Sequence, residues 1–106
     1  MGAELLYIQS RVLVGQSQGI ANFEKHGIPF GEAATVSGDA NGLDGDDAEH
    51  STREHRRQRI GQSVTGRILF VVYTIRRTEH EKETIRIVSA RQARRRERAA
   101  YSRLAD

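Results

Sequence analysis

Arginine is the residue type with the clearest chemical potential in this chain, and six arginines fall between Arg91 and Arg103. The guanidinium stays charged at physiological pH, and its planar fork can hold two oxygens of one phosphate. Two more arginines border or interrupt apolar runs, Arg67 before ILFVVYT and Arg86 within TIRIVSA. We predict that Arg67, Arg86 and Arg91 contact phosphate groups. The residues predicted to bind nucleic acid more widely are Arg91, Arg94, Arg95, Arg98 and Tyr101.

Three residues are candidates for proton transfer. His26 can act as an acid or a base near neutral pH, and Lys25 can do so if its pKa is depressed. The alternative for both is a cationic last turn of a helix, which favours the helix dipole. Glu32 is either a general base or an acidic residue in the first turn of a helix, and the second interpretation is preferred.

The chain has no cysteine, which excludes disulfides, thiolate metal sites and cysteine nucleophiles. His50, His55 and His80 lack the paired spacing of a zinc site, so we expect neither a metal nor a cofactor. If the chain acts on RNA, as the family resemblance described below implies, the chemistry open to it is attack of a 2′-hydroxyl on the neighbouring phosphate. That reaction needs a base, an acid and positive charge at the phosphorane, which Lys25, His26, Glu32, Arg67 and Arg86 are predicted to supply.

Charge is distributed unevenly along the chain. Up to His55 there are three bases against nine acids, and from Arg56 onward there are fourteen bases against five acids. A strongly basic half favours a polyanionic partner. The alternative is that the two halves fold together and partly neutralise each other.

The first half predicts one strand and two helices. Arg11–Val14 suits an edge strand, and Gln16–His26 suits a helix that has Ile20 and Phe23 on one face and ends at Gly27. Phe30–Val36 is a second short helix after Pro29. Its predicted inward residues are Phe30, Ala33, Ala34 and Val36. Residues 37–55 form an acidic variable loop.

The second half predicts three strands and a helix. Arg57–Gln62 is a polar strand, Arg67–Thr74 is the strongest strand of the chain, and Thr84–Ser89 is the third. Short connections favour an antiparallel meander, in which Arg67 and Arg86 are expected near each other. The fold class is α+β, with a small antiparallel sheet, two early helices and one basic C-terminal helix. Length indicates a single domain over residues 1–106.

The closing helix is expected to dock by a narrow stripe. A helical wheel that starts at Ala90 groups the residues Ala93, Glu97, Ala100, Tyr101 and Leu104. A carboxylate on that stripe predicts a structural pair between Glu97 and Arg86, because a lone buried charge would be costly. Tyr101 is expected to be a core residue, and contact with RNA is the alternative interpretation.

The N-terminus predicts no targeting segment. MGAELLYIQSRVLV has neither a basic n-region nor an unbroken apolar core, so a signal peptide is not expected. No stretch approaches the ~20 apolar residues that span a bilayer. We therefore expect a cytoplasmic protein without membrane contacts.

Three segments resemble the BrnT family of bacterial toxins: NFEKHGIPFGEAATV, IGQSVTGRILFVVYT and IRIVSARQARRRERAAY. Their order and spacing also agree, over about three quarters of the chain. The resemblance implies a RelE-like fold, ribonuclease activity and a neighbouring BrnA-like antitoxin that neutralises the toxin. It also strengthens the functional interpretation of Lys25.

The N-terminal part departs from the family pattern. Val14 and Gly15 stand where the family usually has a Trp-Asp pair, Gln18 stands where it has a lysine, and residues 1–11 have no counterpart. Two functions therefore remain open. The first is a metal-independent endoribonuclease inhibited by an antitoxin, and the second is a catalytically impaired module of the same fold that binds nucleic acid or antitoxin.

Overall fold

The computed structural model describes residues 3–5, 11–47, 55–77 and 83–105. The strands are β1 (Ala3–Leu5), β2 (Arg11–Gly15), β3 (Leu43–Asp46), β4 (Arg56–Gln62), β5 (Ile68–Arg77) and β6 (Glu83–Gln92). The helices are α1 (Gln16–His26), α2 (Phe30–Thr35) and α3 (Arg95–Ala105), and a 3₁₀ turn spans Val36–Gly38. Within these described residues the strands form one sheet in the order β1-β2-β6-β5-β4-β3. The predicted α+β class is confirmed.

The predicted meander forms the centre of the sheet. β4, β5 and β6 pair antiparallel, and β5 runs from Ile68 opposite Gln62 to Arg77 opposite Glu83. A tight turn joins β4 to β5, with Gly66 at φ 92° and its N–H donating to the Ser63 carbonyl. Glycine suits this position because the left-handed region is costly for other residues.

The N-terminal strand β2 was predicted at the edge of the sheet, but it has a neighbouring strand on each side. β2 pairs with β6 in parallel, with Val12 opposite Ile85, and β1 pairs antiparallel with the outer side of β2. The prediction of a strand at Arg11–Val14 is correct, whereas its position at the sheet edge is wrong. The edge on this side is β1, within residues that the sequence did not identify as a strand.

The acidic segment is more ordered than a solvated loop. The described part of residues 37–55 contains the end of the 3₁₀ turn and the strand β3, which pairs antiparallel with β4. Asp44 pairs with Arg59, and Asp46 lies 3.5 Å from Nε of Arg57. Cross-strand charge pairs of this kind stabilise a strand whose residues have low strand propensity. The prediction of an irregular loop is therefore wrong for Leu43–Asp46.

Both early helices form as predicted. Gly27 ends α1 at φ 73°, and its N–H donates to the Phe23 carbonyl at 2.8 Å. The predicted inward residues Phe30, Ala33, Ala34 and Val36 are all buried, and they pack on the sheet against Leu69, Val71, Ile87 and Ala90. Ile20 and Phe23 lie on an exposed face of α1 instead. The helix approaches α2 through Gly19, which lies against the Phe30 ring.

The C-terminal helix begins later than predicted. β6 continues through Gln92, which pairs with Leu69, and the Ala93 N–H donates to the Ile68 carbonyl at 2.9 Å. Helix α3 starts only at Arg95. The helical wheel from Ala90 is therefore wrong for its first positions, because Ala90 belongs to a strand and is buried in the core. Leu104 has a side chain outside the described part of the structure.

Candidate active site and nucleic-acid interface

Asn22 fixes the end of α1 to the edge of β6. Its Oδ1 accepts from the Ala90 N–H at 3.0 Å, and its Nδ2 donates to the Ala90 carbonyl at 2.8 Å. Nδ2 also donates to the Ile28 carbonyl at 2.9 Å. The side chain is buried, and its amide satisfies backbone groups that would otherwise lack partners. From the sequence, Asn22 is recognised only as the first residue of a family motif, and this structural role is not predicted.

Lys25 and His26 follow one helical turn after Asn22. Lys25 is exposed and His26 is half-buried, and both occupy the last turn of α1. Since Asn22 binds Ala90, this turn lies near the C-terminal end of β6. Both side chains are therefore available at that end of the sheet.

Arg67 reaches the same end from the start of β5 and is held there by Glu32 of α2. Its Nε donates to Oε2 of Glu32 at 2.8 Å, and its Nη2 donates to Oε1. The hydroxyls of Ser63 and Thr65 donate to the same carboxylate, each at 2.8 Å. The hydrogen bond from Arg67, supported by those from Ser63 and Thr65, lowers the pKa of Glu32 to about 2. A carboxyl group with this pKa is a weak base at neutral pH.

Arg91 lies on the face of the sheet that the early helices leave uncovered. Successive side chains of a strand point to opposite faces, so Arg91 points away from the buried Ala90. Its guanidinium carbon lies 4.2 Å from the centroid of the Phe70 ring, a cation–π arrangement. Its Nη1 and Nη2 donate to the two carboxylate oxygens of Glu97 at 2.8 and 2.9 Å.

Glu97 was predicted to pair with Arg86, and that prediction is wrong. Because α3 starts at Arg95, Glu97 falls in its first turn, where it reaches Arg91 and also accepts the Arg94 N–H at 2.7 Å. The hydrogen bond from Arg91 holds the pKa of Glu97 below its usual value, against the opposing effect of burial. Arg86 instead donates from Nη2 to Oε1 of Gln18 at 3.2 Å.

Arg67 and Arg86 do not lie together. Arg86 pairs with Thr74, seven residues along β5 from Arg67, which corresponds to ~23 Å at ~3.3 Å per residue. Arg67 is instead close in register to Arg91, which pairs with Phe70. The expected arginine trio is therefore divided, and Arg86 stands apart.

Helix α3 carries the exposed positive charge. Arg94, Arg95 and Arg98 are exposed, and Nη1 of Arg98 donates to the Ala93 carbonyl at 2.6 Å. Arg96 and Arg103 are exposed as well. Within the described ranges, no carboxylate forms an ion pair with any of these five residues. Acidic residues of the first half of the chain thus neutralise Arg59 and Arg67 of the second half. Among the described residues, none of them neutralises the exposed arginines of α3.

Tyr101 is a core residue, in agreement with the preferred interpretation of its position. It is buried, and its hydroxyl donates to Oδ2 of Asp39 at 2.6 Å. Asp39 also accepts the Gln62 N–H at 2.8 Å. The hydrogen bond to Asp39 raises the pKa of Tyr101. Its ring and hydroxyl are therefore already engaged within the protein.

The structure is thus a small basic α+β domain in which Arg67, Arg91 and the last turn of α1 lie towards one end of the sheet and Arg86 lies away from them. The family model of BrnT, the ribonuclease toxin of type II toxin–antitoxin systems, matches residues 17–97, and the chain belongs to this family. No curated protein sequence matches the chain significantly. Among the helices that the structure describes, none is long and apolar enough to cross a membrane.

Proposed function

We propose that this chain is the ribonuclease toxin of a type II toxin–antitoxin pair and cleaves RNA by attack of a 2′-hydroxyl on the adjacent phosphate. The observation that supports the proposal is that two carboxylate-bound arginines and the last turn of α1 all lie towards the C-terminal end of β6. Arg67 is held by Glu32, Arg91 is held by Glu97, and the last turn of α1 is fixed by Asn22. Arg67, which Glu32 of α2 holds on the covered face, and Arg91, on the opposite face, flank this end of the sheet, and the proposed RNA strand passes across it.

In this proposal each residue has a distinct role. Arg67 and Arg91 stabilise the charge that develops on the phosphorane oxygens, because both present guanidinium donors with a fixed orientation. His26 transfers the proton of the attacking hydroxyl or of the leaving oxygen, and Lys25 supplies positive charge or acts as the second proton-transfer group. Glu32 is a positioning residue for Arg67 rather than a base, since its pKa is about 2.

The remaining arginines bind the RNA strand outside the cleaved bond. Arg94, Arg95 and Arg98 are exposed next to Arg91 and suit contacts to successive phosphates. Arg86 lies about 16 Å along β6 from Arg91 at ~3.3 Å per residue, which suits a phosphate further along the RNA strand. These contacts need no metal ion, and a cytoplasmic location follows from the RNA substrate.

The test is RNA cleavage by the purified chain in EDTA, with the product ends analysed. A 2′-hydroxyl mechanism leaves a 2′,3′-cyclic phosphate and a free 5′-hydroxyl. We expect Arg67→Ala and Arg91→Ala each to lower the cleavage rate at saturating RNA by ~100-fold, because an oxyanion contact typically contributes that much. Arg86→Ala should mainly weaken RNA binding. Equal loss of rate in all three variants would contradict the separate role of Arg86.

A second candidate function is favoured by one observation. Glu32 and Glu97 already neutralise Arg67 and Arg91, which suits a module that binds nucleic acid or antitoxin without cleaving. Gln18 adds to this case, since it stands at a position where the family pattern has a lysine and accepts a hydrogen bond that a lysine cannot accept. RNA that is bound but remains intact over hours would favour this second function over the first.

A further inference from the structure

The large apolar side chains that lie exposed on this chain are concentrated around the candidate active site. Within the described residues they are Ile20 and Phe23 of α1, at 62% and 53% exposure, and Val64, at 77%. Helix α1 ends in the turn that carries His26, and Val64 lies in the tight turn just before Arg67. Apolar residues scattered singly over a surface need no explanation, but these three border one site.

Phe23 lies on the side of α1 that faces α2, next to His26. Gly19 marks this side, because it lies against the Phe30 ring of α2. At ~100° per residue, Phe23 is only ~40° around the helix from Gly19 and His26 is ~20° from it. Phe23 and His26 are three residues apart, so their Cβ atoms are neighbours at roughly 5–6 Å. Ile20 lies ~100° from Gly19 and is turned away from α2.

The turn of α1 that carries the Phe23 ring is held in place on both sides. The adjacent side chain of Asn22 forms three hydrogen bonds, two to the backbone of Ala90 and one to the Ile28 carbonyl. The Phe23 carbonyl accepts the Gly27 N–H at 2.8 Å, which closes the helix. An aromatic ring carried by a fixed backbone loses little conformational entropy when a ligand binds to it.

The surroundings of Phe23 favour a nucleobase over a protein surface as its partner. About half of the side chain is exposed, which amounts to roughly 100 Å². Even with Ile20 added, this apolar area is far below the ~800 Å² that each partner buries in a specific protein interface. One face of an aromatic ring is instead sufficient for one base of a single strand. The ring also adjoins His26, to which the proposed RNA substrate must come.

We propose that Phe23 is a stacking platform, an aromatic ring on which one nucleobase of the RNA substrate lies next to the cleaved bond. This inference rests on the RNA substrate of the proposed function and adds a contact to a base, whereas the arginines contact phosphates. The stacked base belongs to a nucleotide that adjoins the bond at which His26 acts. Stacking tolerates any base, so the platform positions the nucleotide without selecting a sequence.

The test uses a short single-stranded RNA that can bind but cannot be cleaved. Methylation of every 2′-hydroxyl removes the nucleophile, and 2-aminopurine in place of each adenine reports stacking through the quenching of its fluorescence. Phe23→Ala removes the ring, and Phe23→Tyr keeps it. Ile20→Ala is the matched control, because it removes an exposed apolar side chain from the same helix on a side turned away from α2. Phe23→Leu replaces Phe23→Ala if the alanine variant does not fold.

We expect the original chain and Phe23→Tyr to quench the fluorescence at saturation, and Phe23→Ala to lose most of this quenching. Phe23→Ala should also bind the RNA at least about 5-fold more weakly, because the loss of one stacked base typically has an effect of this size or larger. Ile20→Ala should behave as the original chain. Full quenching by Phe23→Ala, or an equal loss of affinity in Ile20→Ala, overturns the stacking platform.

The outcomes separate this inference from the proposed function. If the original chain cleaves unmodified RNA in EDTA but its quenching does not depend on Phe23, the platform alone is overturned. Quenching that depends on Phe23, on RNA that is never cleaved, supports the platform and contradicts cleavage. If the original chain does not bind RNA, both fail. If Phe23→Ala keeps its RNA affinity but loses binding to the antitoxin encoded beside this chain, Phe23 belongs to a protein interface and the proposal is overturned.

Discussion

Glu97 binds Arg91 through both carboxylate oxygens, at 2.8 and 2.9 Å, across the junction between β6 and α3. The same carboxylate accepts the Arg94 N–H at 2.7 Å, immediately before the first residue of the helix. A glutamate at the third helical position commonly reaches back in this way. One side chain thus orients the arginine proposed to bind phosphate and also satisfies a backbone donor at the start of α3.

Replacing Glu97 by Gln should lower both stability and activity. The amide keeps one oxygen acceptor but loses the charge and the two-point contact, so we expect a loss of about 1–2 kcal/mol in the free energy of unfolding. Thermal unfolding should shift down by ~4–8 °C per kcal/mol for a domain of this size. The control is Glu24→Gln, which removes the same charge from an exposed position on α1. A melting temperature of Glu97→Gln that equals that of the control would contradict the importance of this pair.

The Glu32–Arg67 pair predicts a specific pH dependence of stability. The pKa of Glu32 falls from 4.5 to about 2 in the folded chain, so the folded state favours the ionised carboxylate. Its contribution, of the order of 1–3 kcal/mol, is fully present above pH ~4.5 and is lost as the pH falls towards 2.

Denaturant unfolding of the original chain and of Glu32→Gln, measured from pH 7 to pH 2, tests this dependence. The original chain should be the more stable at pH 7, and the difference should shrink below pH 4.5. Glu24→Gln is a suitable control, because Glu24 is exposed on α1. A difference that stays constant over the whole range would show that the carboxylate charge is not what stabilises the contact.

The variant Asn22→Asp distinguishes the acceptor role of the Asn22 side chain from its donor role at the edge of β6. Aspartate keeps an acceptor for the Ala90 N–H but loses the donor to the carbonyls of Ala90 and Ile28. We expect a loss of about 2–3 kcal/mol, since two buried carbonyls lose their partner. In hydrogen-exchange measurements, Asn22→Ala should expose the Ala90 amide more strongly than Asn22→Asp. Equal exchange in the two variants would contradict the assigned acceptor.

The exposed arginines of α3 predict the salt dependence of RNA binding. Each phosphate contact to a single strand contributes ~0.7 to the slope of log K against log salt concentration. Replacing Arg94, Arg95 and Arg98 together by Gln should therefore reduce the slope by about 2. The matched control is the double variant Arg96→Gln with Arg103→Gln, on the other flank. An equal reduction per arginine in the control would mean that RNA contacts the whole helix.

The sequence correctly predicted the helices and strands that are specified by a few consecutive residues. The end of α1 at Gly27, the inward face of α2 and the three strands of the meander all follow from spacing and from turn residues. These features depend on neighbours in the chain, and the structure agrees with each of them. The family motifs were equally informative, because the family model matches residues 17–97, which include all three of them.

The errors arose where pairing across the sheet decides the structure. Alanine, arginine and glutamine after Ser89 suit a helix as well as a strand, and the pairing of Gln92 with Leu69 extends β6 past the expected start. Because α3 therefore begins later than predicted, Glu97 contacts Arg91 instead of the expected Arg86. In the same way, β3 forms because Asp44 and Asp46 meet arginines of β4, which a single-sequence pattern does not reveal.

The amide of Asn22 has a consequence for the solubility of the chain. At Ala90, β6 has passed the last residue that pairs with β2, so its backbone N–H and C=O groups at this point face α1 instead of a strand. An open strand edge readily recruits another chain and starts aggregation. The carboxamide of Asn22 makes the hydrogen bonds that a peptide group of a neighbouring strand would make, and it thereby blocks the pairing of another strand at that point. Loss of this amide would leave a template for sheet extension in the middle of the molecule.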